Sequence, residues 1–405
     1  MKEEQNMSKQ VQDAYIIAAT RTPIGRSGRG YFRNTRPDDL LVAAVKHALA
    51  QVPTLDPKAI EDAIIGCSFP EGEQGMNMAR VAMVLAGLPH SVGGITVNRF
   101  CASGLSALAM AADRIRVGEA DVMIAGGAES MSLVPMGGNK PSFNPEVFAR
   151  DENLGIAYGM GLTAEKVAAQ WKVGREAQDA FALQSHQRAV AAIAAGAFAD
   201  EMTPVQVVAR TPDLTGGGVN VKARTVAIDE GPRPDTSLEG LAKLKPVFAA
   251  KGSVTAGNSS QTSDGAGALI LASEKAVKTF GLTPLARFVS FAVRGVPPEI
   301  MGIGPIEAIP AALRSAGLSL ADLGWIELNE AFAAQSLAVI NSLGLDPAKV
   351  NPMGGAIALG HPLGATGAIR AATVVHALRR HKLKHGMVTM CVGMGQGAAG
   401  IIEAV

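Results

Sequence analysis

The sequence has 405 residues, of which 48% are apolar, and its formal net charge is +1. This length predicts two or three domains with a large buried core. The near-zero charge argues against a protein that binds nucleic acid or a membrane surface through its overall field, and no apolar run is long enough to cross a bilayer. The 46 glycines, beside 3 tyrosines and 2 tryptophans, indicate tight turns and close packing of helices on sheets.

The three cysteines are Cys67, Cys101 and Cys391, and their spacing fits no zinc or iron–sulfur pattern. Their odd number, together with the lack of a secretion signal, predicts a reducing, cytoplasmic location. The first ten residues are polar, and they are predicted to be disordered.

The first third of the chain alternates between buried strands and helices. The predicted strands are 15–20, 63–68, 95–100 and 121–125, and the predicted helices are 38–50, 76–86 and 103–116. Asp38 or Asp39 is expected to cap the first helix. The helix at 103–116 is apolar or small on nearly every side, so it is predicted to be buried between layers.

The segment from about 133 to 252 is more polar and contains loops rich in proline and glycine. It is predicted to contain a helix that Thr163 caps and that runs to Trp171, and an alanine-rich helix at 175–195 that Gly196 ends. This segment is interpreted as an inserted loop domain. A plain scaffold or a dimer surface is the alternative.

The α/β pattern returns at Ser253. The predicted strands are 266–272, 285–293, 325–329, 387–392 and 399–405, and the predicted helices are 305–316, one that starts at Ala331, and 364–379. The last helix is again apolar nearly all round, and it is therefore a second candidate for a helix buried between layers.

An internal duplication underlies this order. Residues 55–66 align without gaps on residues 318–329, and Asn98 and Asn351 each lead a turn into an apolar helix. The predicted halves are 1–279, with a core at about 13–132 and 253–279, and 280–405. Two buried helices from two similar halves predict a layered core in which helices lie between two sheets.

Cys101 marks the joint between the strand at 95–100 and the buried helix. A cysteine at a helix start meets unpaired N–H groups and the positive end of the helix dipole. Both favour the thiolate, which is the nucleophilic form. The alternative is a packing cysteine, since free cysteine is among the most buried residue types.

Three further stretches, 329–332, 354–367 and 390–397, are rich in glycine or polar residues and lie at strand ends or helix starts. Such positions gather the sites of α/β sheets. His361 lies in a glycine-flanked turn, and Cys391 ends an apolar strand, where a core cysteine remains the alternative. Cys67 and the other histidines are interpreted as structural. No P-loop lysine and no placed GxGxxG is present, so nucleotide binding of those kinds is not favoured.

Four blocks resemble the signature blocks of the thiolase family, and they occur in the family's order: 97–104, 329–332, 360–362 and 391–393. The similarity extends to 126–131, 160–165 and 255–260 and covers the chain from about residue 13 to residue 405. The resemblance implies an α/β fold with a duplicated five-layer α-β-α-β-α core and an inserted loop domain.

The resemblance also implies the catalytic roles. Cys101 would be the nucleophile that takes the acyl group, and His361 would remove its proton. Cys391 would be the acid and base at the carbon that becomes acetyl-CoA. Asn329 would hold a water that stabilises the enolate together with the His361 ring. The backbone N–H groups of Cys101 and Gly393 would form a second oxyanion hole.

By the same resemblance, the substrates are 3-ketoacyl-CoA and coenzyme A, and the products are acetyl-CoA and a shortened acyl-CoA. Coenzyme A would be a co-substrate, and neither a cofactor nor a metal is expected. Ser260 would touch the pantetheine, Arg233 would lie near the adenine nucleotide, and Phe332 and Met160 would line the acyl end. The segment 133–252 would cover the coenzyme A channel.

Gly159 stands where short-chain biosynthetic thiolases often have a histidine, so the sequence favours a degradative 3-ketoacyl-CoA thiolase of fatty acid β-oxidation. The alternatives are an acetoacetyl-CoA thiolase that condenses two acetyl-CoA, a ketoadipyl-CoA thiolase, and a non-catalytic thiolase-like lipid carrier. A ketoacyl synthase of the same superfold would lack the second catalytic cysteine. A homodimer or a dimer of dimers is expected from the resemblance.

Overall fold

The computed structural model describes residues 11–405, so the predicted disorder of the first ten residues lies outside the described residues. The strands are β1 Tyr15–Arg21, β2 Gly25–Arg26, β3 Asp62–Gly66, β4 Ile95–Val97, β5 Val122–Ser130, β6 Val205–Asp213, β7 Gly218–Val226, β8 Ser263–Ala272, β9 Ala286–Gly295, β10 Leu323–Leu328, β11 His385–Val392 and β12 Gln396–Ala404. The helices are α1 Pro37–Ala50, α2 Met78–Leu85, α3 Ser103–Arg116, α4 Met160–Gln170, α5 Arg175–Ala194, α6 Leu238–Ala242, α7 Glu274–Phe280, α8 Gly304–Ala316, α9 Ala333–Leu343, α10 Ala356–Leu359 and α11 Leu363–His381.

The strands of the core follow the order β10–β11–β12–β9–β1–β8–β5–β3–β4, with β2 beside β8. The amino-terminal set runs β1–β8–β5–β3, with two antiparallel pairs and then a parallel pair. The carboxy-terminal set β9–β12–β11–β10 repeats this order and these directions. The predicted duplication is therefore present in the topology.

The correspondence extends to the edge of each set. β4 pairs in parallel with β3, and in the second half an isolated parallel bridge joins Ile326 to Val350 at the equivalent place. Asn98 and Asn351 directly follow these two edge segments. The two sets meet through a short antiparallel pairing of Tyr15 and Ile16 with β9.

The order of the layers can be seen from the clusters into which neighbouring residues of one strand pack, because they point to opposite faces of the sheet. Ile16 belongs to the central apolar cluster, which α3 and α11 fill, whereas Ile17 belongs to the cluster under α1 and α2. In the second half, α8 and α9 cover the outer face of the sheet. One layer of helices thus lies between the two strand sets, and a further layer covers the outer face of each set. This arrangement confirms the predicted five-layer α/β core. Burial on both faces explains why the strands are continuous apolar runs.

The two central helices approach each other closely. A Cβ atom added at Gly367 of α11 would lie 2.2 Å from the backbone nitrogen of Leu105 in α3. Only glycine allows this approach. It brings together the amino-terminal ends of α3 and α11, which carry the predicted catalytic residues.

Two predicted helix caps are wrong. Arg36 is the residue before α1 and Pro37 opens the helix, so Asp38 lies inside the first turn. Proline suits this place because its missing N–H would be unpaired there in any case. Thr163 lies inside α4, where its hydroxyl donates to the carbonyl of Met160 at 2.7 Å.

The segment predicted as an insertion lies against the second half of the core. Its helix α4 packs on α9 and on the 3-10 helix Pro298–Ile303, and α5 packs on α9 and α10. The hairpin β6–β7 is mostly exposed. The limits 133–252, and those of the two halves, stay predictions. Within residues 11–405, no helix is long and apolar enough to cross a membrane.

Candidate active site

Cys101 lies in a turn of 3-10 helix between β4 and α3. β4 ends before the predicted Phe100, because the chain turns there with a left-handed φ of 43°. This backbone is costly for a bulky residue and persists where the surroundings impose it. The Asn98 side chain accepts the Phe100 N–H at 2.7 Å, and Ser103 Oγ donates to the Phe100 carbonyl at 2.6 Å. Both bonds hold the turn that presents Cys101.

The Cys101 sulfur is half-buried, and dehydration dominates its ionisation. Burial raises the pKa of the Cys101 thiol to about 12, although the backbone N–H groups of Gly393 and of Cys101 itself act in the opposite direction. The N–H groups therefore act in the predicted direction, but burial outweighs them and favours the neutral thiol. A neutral thiol needs a base when it reacts.

The His361 ring is buried and held at both nitrogens. Its Nδ1 lies 2.7 Å from Thr366 Oγ1, and its Nε2 lies 3.3 Å from the amide nitrogen of Asn329. Because the amide nitrogen donates, Nε2 is the acceptor and Nδ1 carries the proton. Burial, followed by the charge of Arg370, lowers the pKa of His361 to about 3. The ring is therefore neutral, which is the form a base requires.

Asn329 follows β10, and its position is fixed through the backbone. Its N–H donates to the Thr389 carbonyl at 2.9 Å. The side chain of Asn351 bonds both the N–H and the carbonyl of Leu328, at 2.9 and 2.8 Å. Asn329 Oδ1 is buried and has no hydrogen-bond partner among the described residues. Such an atom commonly bonds an ordered water or a ligand.

Cys391 is fully buried near the end of β11. It packs in an apolar cluster with Phe332, Met301 and the partly buried Met160. Burial, and next the neighbouring Cys101, raise the pKa of the Cys391 thiol. The residue is therefore a protonated thiol beside the candidate nucleophile, which suits a proton donor.

The predicted catalytic residues converge from both halves of the chain. The turn that carries Cys101 packs on β11 and α11, so Cys101 lies beside Gly393 and near Cys391. His361 and Asn329 form a second contact pair. Within the described chain, no hydrogen bond joins Cys101 to His361 directly. A thiol facing two N–H donors, a neutral base and a second protonated thiol can together transfer an acyl group.

The space in front of Gly393 is bounded by side chains predicted for the acyl end. A Cβ atom added at Gly393 would lie 3.6 Å from the Phe100 ring and 3.8 Å from Met160 Sδ. Phe332 is buried, and its ring meets that of Phe248 edge to face with centroids 6.1 Å apart. Met160 thus lies near Gly393, and Phe332 shares the apolar cluster of Met160 and Cys391, whereas the contact of either residue with an acyl chain stays a prediction.

Arg233 lines a surface cavity of about 220 Å³ together with His186 and the neighbouring loop at 256–261. The His186 Nδ1 accepts the Arg233 N–H at 3.2 Å. Burial, and then the nearby charges of Arg26 and Arg29, lower the pKa of the Arg233 guanidinium. The three arginines suit an anionic ligand, although Asp235 also lines the cavity.

Ser260 is half-buried on the same loop, where its N–H donates to the Ala331 carbonyl at 2.9 Å. It thus joins the Arg233 cavity to the strand end that bears Asn329. Among residues 11–405, no group of three or more His, Cys, Asp or Glu side chains is arranged to hold a metal ion.

Sequence reasoning missed the groups that support these residues. Thr366, Glu129 and Glu330 lie inside the motif blocks, but no role was assigned to them, and Asn351 was predicted only to lead a turn. A signal existed for Thr366, because a hydroxyl near the start of a helix lies close to the residues just before that helix, here His361 and Pro362. The other contacts span distant parts of the chain, so spacing alone did not reveal them.

Two family models match the chain, "Thiolase, N-terminal domain" over residues 14–275 and "Thiolase, C-terminal domain" over residues 282–404. Together with the fold and the converging thiols and imidazole, they define an acyltransferase enzyme. The chain belongs to the thiolase family.

Relatives match along the whole length. The chain is 49% identical over 397 residues to a 3-ketoacyl-CoA thiolase of Bacillus subtilis, with 97% of this chain and 100% of the relative covered. It is 45% identical over 411 residues to the 3-oxoadipyl-CoA/3-oxo-5,6-dehydrosuberyl-CoA thiolase of Escherichia coli, with 98% and 100% covered. The crystal structure of human mitochondrial 3-ketoacyl-CoA thiolase superposes with a TM-score of 0.87 at 42% identity, with 98% and 100% covered.

Proposed function

We propose that the protein is a degradative 3-ketoacyl-CoA thiolase that acts in fatty acid β-oxidation. It cleaves 3-ketoacyl-CoA between C2 and C3 and passes the acyl group through Cys101 to coenzyme A. The observation that carries this proposal is that Cys101 lies beside the Gly393 N–H and Cys391, while the turn that bears it packs on α11, the helix that begins just after His361 of the His361–Asn329 pair.

In the first half-reaction, His361 Nε2 takes the proton of Cys101, and the thiolate attacks the C3 carbonyl. The oxygen at C3 receives the N–H groups of Cys101 and Gly393, which already face the sulfur. The C2–C3 bond then breaks. Asn329 and His361 stabilise the enolate of acetyl-CoA, and Cys391 gives its proton to C2.

In the second half-reaction, the thiol of coenzyme A gives its proton to the Cys391 thiolate and attacks the acyl-cysteine. Cys101 leaves as a thiolate and recovers the proton held by His361. The cycle thus returns every group to its starting protonation state. The raised pKa of Cys391 suits this role, because a weakly acidic thiol returns to the protonated state readily.

The preference for longer acyl chains rests on the start of α4. A Cβ atom added at Gly159 would meet nothing within 4 Å, so this side of Met160 is open. The apolar cluster of Met160, Phe332 and Met301 suits an alkyl chain. The similarity to the Escherichia coli relative makes a 3-ketoadipyl-CoA thiolase the second candidate, although the terminal carboxylate of that substrate requires a polar partner.

The decisive experiment is coenzyme A-dependent cleavage of 3-ketoacyl-CoA esters from C4 to C16, with 3-ketoadipyl-CoA included, followed by loss of the enolate absorbance. Activity at C8 and above supports the proposal. Activity confined to C4 would make the protein an acetoacetyl-CoA thiolase, and preference for the dicarboxylic ester would select the second candidate. Cys101→Ser is the control, since it must abolish formation of the acyl-enzyme.

We further propose a cytoplasmic enzyme that uses coenzyme A as co-substrate and needs no metal or cofactor. Cys67, Cys101 and Cys391 are free thiols, which suits a reducing compartment. Activity that survives exhaustive treatment with chelators would support an enzyme without a metal requirement. Localisation of the tagged protein tests the cytoplasmic location.

A homodimer, alone or paired into a dimer of dimers, is also proposed. β4 is at the end of the sheet, Ile95 on it is 45% exposed, and the exposed apolar face of α2 lies beside it. An edge of this kind invites pairing with a second copy. Light scattering after gel filtration measures the mass, and Ile95→Lys should shift it towards that of the monomer.

A further inference from the structure

The candidate base His361 occupies the short turn between α10 and α11. Its ring contacts, Asn329 and Thr366, set the direction of the imidazole but not the place of the turn itself. The His361 N–H donates to Ser263 Oγ at 3.1 Å, so the start of β8 holds one point of the turn. The Gly364 N–H in the first turn of α11 has no partner within that helix, so a group outside the helix must satisfy it and can fix the start of α11 against the layer that carries Cys101.

On the amino-terminal side of His361, the group that bonds the segment leading into the turn is the carboxylate of Glu330. Its Oε2 accepts the Ile357 N–H at 3.1 Å and the Ser185 hydroxyl at 2.6 Å, and its Oε1 accepts Asn351 Nδ2 at 2.8 Å. Glu330 directly follows Asn329 in the chain. One carboxylate thus joins the strand end that bears Asn329 to the helix that leads into His361.

On the side after His361, the partner is Glu129. Its Oε2 accepts the Gly364 N–H at 2.8 Å and the Ser68 N–H at 2.7 Å. A Cβ atom added at Gly364 would lie 2.7 Å from this carboxylate oxygen, so the contact is close. Glu129 is a residue of β5, which pairs with β3, and its charge acts on the nearby Cys101. The amino-terminal end of α11 favours a negative charge at this place.

Both carboxylates are buried, with Glu129 0% and Glu330 2% exposed, and protein N–H and O–H groups donate to each of them. Burying a carboxylate is expensive unless several donors satisfy it. Two buried carboxylates, one on each side of the candidate base His361, point to a role beyond stabilising the fold.

We propose that Glu129 and Glu330 are positioning residues, which hold the His361 turn from its two sides and so set the place of the base relative to Cys101. The inference rests on the proposed role of His361 as the base. Glu330 couples this place to Asn329, and Glu129 couples it to the layer of the nucleophile. A displacement of about 1 Å at such a site can lower the rate about 100-fold.

Glu129→Gln and Glu330→Gln test the proposal, because each keeps the side-chain shape but turns one acceptor oxygen into a donor that faces N–H groups. Glu201→Gln is the matched control. Glu201 is also a buried carboxylate, but it bonds Arg21 and Thr373, away from the turn. The readouts are kcat and KM with 3-ketooctanoyl-CoA, the rate of Cys101 alkylation by iodoacetamide, and the thermal midpoint.

The expected result is a 10- to 100-fold fall in kcat for both variants with KM changed less than threefold, together with slower alkylation of Cys101. The control should lose thermal stability but keep its kcat per folded molecule. If kcat and the alkylation rate of both variants stay within twofold of the wild type, or if the change is confined to KM, the proposal is overturned. A wild-type protein that fails to cleave would instead overturn the proposed function.

Ser185→Ala covers the case in which the glutamine variants do not fold, since it removes one hydroxyl, which donates to Glu330 and accepts the Gly355 N–H at 3.1 Å. A fall in kcat at constant KM in this variant supports the proposal. An unchanged kcat overturns it.

Discussion

The hydroxyl oxygen of Thr366 lies 2.7 Å from Nδ1 of His361, and both groups are buried. The first turn of α11 brings them together. Because Nε2 faces the donating amide of Asn329, Nδ1 carries the proton, and this N–H donates a hydrogen bond to the hydroxyl oxygen of Thr366. The pair fixes both the tautomer and the direction of the ring.

Thr366→Val should therefore lower kcat with little effect on KM or on folding. Loss of one buried hydrogen bond costs about 1–3 kcal/mol, and a loss of that size in transition-state stabilisation lowers the rate by roughly 10- to 100-fold. Thr366→Ser keeps the hydroxyl and should retain most of the activity. Equal activity of the valine and serine variants would show that the ring needs no partner at Nδ1. Steady-state cleavage kinetics provide the measurement.

The stability of the protein should depend on the protonation of His361. Burial lowers the pKa of His361 from 6.5 to about 3, so below pH 6.5 the unfolded chain binds a proton that the folded protein does not. The free energy of unfolding therefore falls as the pH drops through this window, by up to ~1.4 kcal/mol per pH unit from this group.

His361→Asn removes this contribution. Burial raises the pKa values of Glu129 and Glu330 and acts in the opposite direction, so the comparison between the two proteins isolates the histidine. Urea unfolding at several pH values from 4 to 7 measures the difference. Parallel curves for the variant and the wild type would contradict the expectation.

Gly393→Ala should leave the fold intact and impair catalysis. The added methyl group would make only ordinary contacts, at 3.6 Å from Phe100 and 3.8 Å from Met160, but it would occupy the space in front of Cys101. We expect kcat/KM to fall at least about tenfold for every chain length, since the Gly393 N–H is a proposed oxyanion donor. The thermal midpoint serves as the control. A variant that cleaves normally would remove Gly393 from the oxyanion hole.

Arg233→Ala should weaken the binding of coenzyme A without changing the chemical step. The exposed Arg233 side chain lines a cavity and has the charges of Arg26 and Arg29 nearby, and surface contacts of this kind contribute up to about 1 kcal/mol. KM for coenzyme A should rise roughly fivefold at constant kcat, whereas pantetheine, which lacks the nucleotide, should be used as before. The exposed Arg224→Ala is the matched control. An equal rise in KM for coenzyme A and for pantetheine would show that Arg233 does not act on the nucleotide part of coenzyme A.

Cys391→Ala should lose proton exchange at C2 of acetyl-CoA but still accept an acyl group on Cys101. The two thiols are neighbours, yet only Cys391 is assigned to the proton transfer. Deuterium exchange followed by mass spectrometry separates this function from acylation. Exchange at the wild-type rate would exclude Cys391 from the mechanism.

The elements of the core could be predicted because their signals are local. α3 begins and ends where the apolar pattern placed it, at Ser103 and Arg116, and β11 and β12 follow the two closing apolar runs closely. The errors occurred where tertiary contacts decide the backbone. β4 stops early because Phe100 adopts a left-handed turn that Asn98 and Ser103 stabilise.

The sequence by itself determined the fold class, the duplicated halves and the residue types of the site, since periodicity, turn residues and motif blocks are properties of neighbouring residues. Only the tertiary structure decided the protonation of the site and its supports. Cys101 remains a thiol because burial outweighs the helix start, and Glu129 on β5 and Glu330 just after β10 reach the two sides of the His361 turn. Dehydration and electrostatic fields depend on which groups pack around an atom, and that packing arises only when the two halves meet.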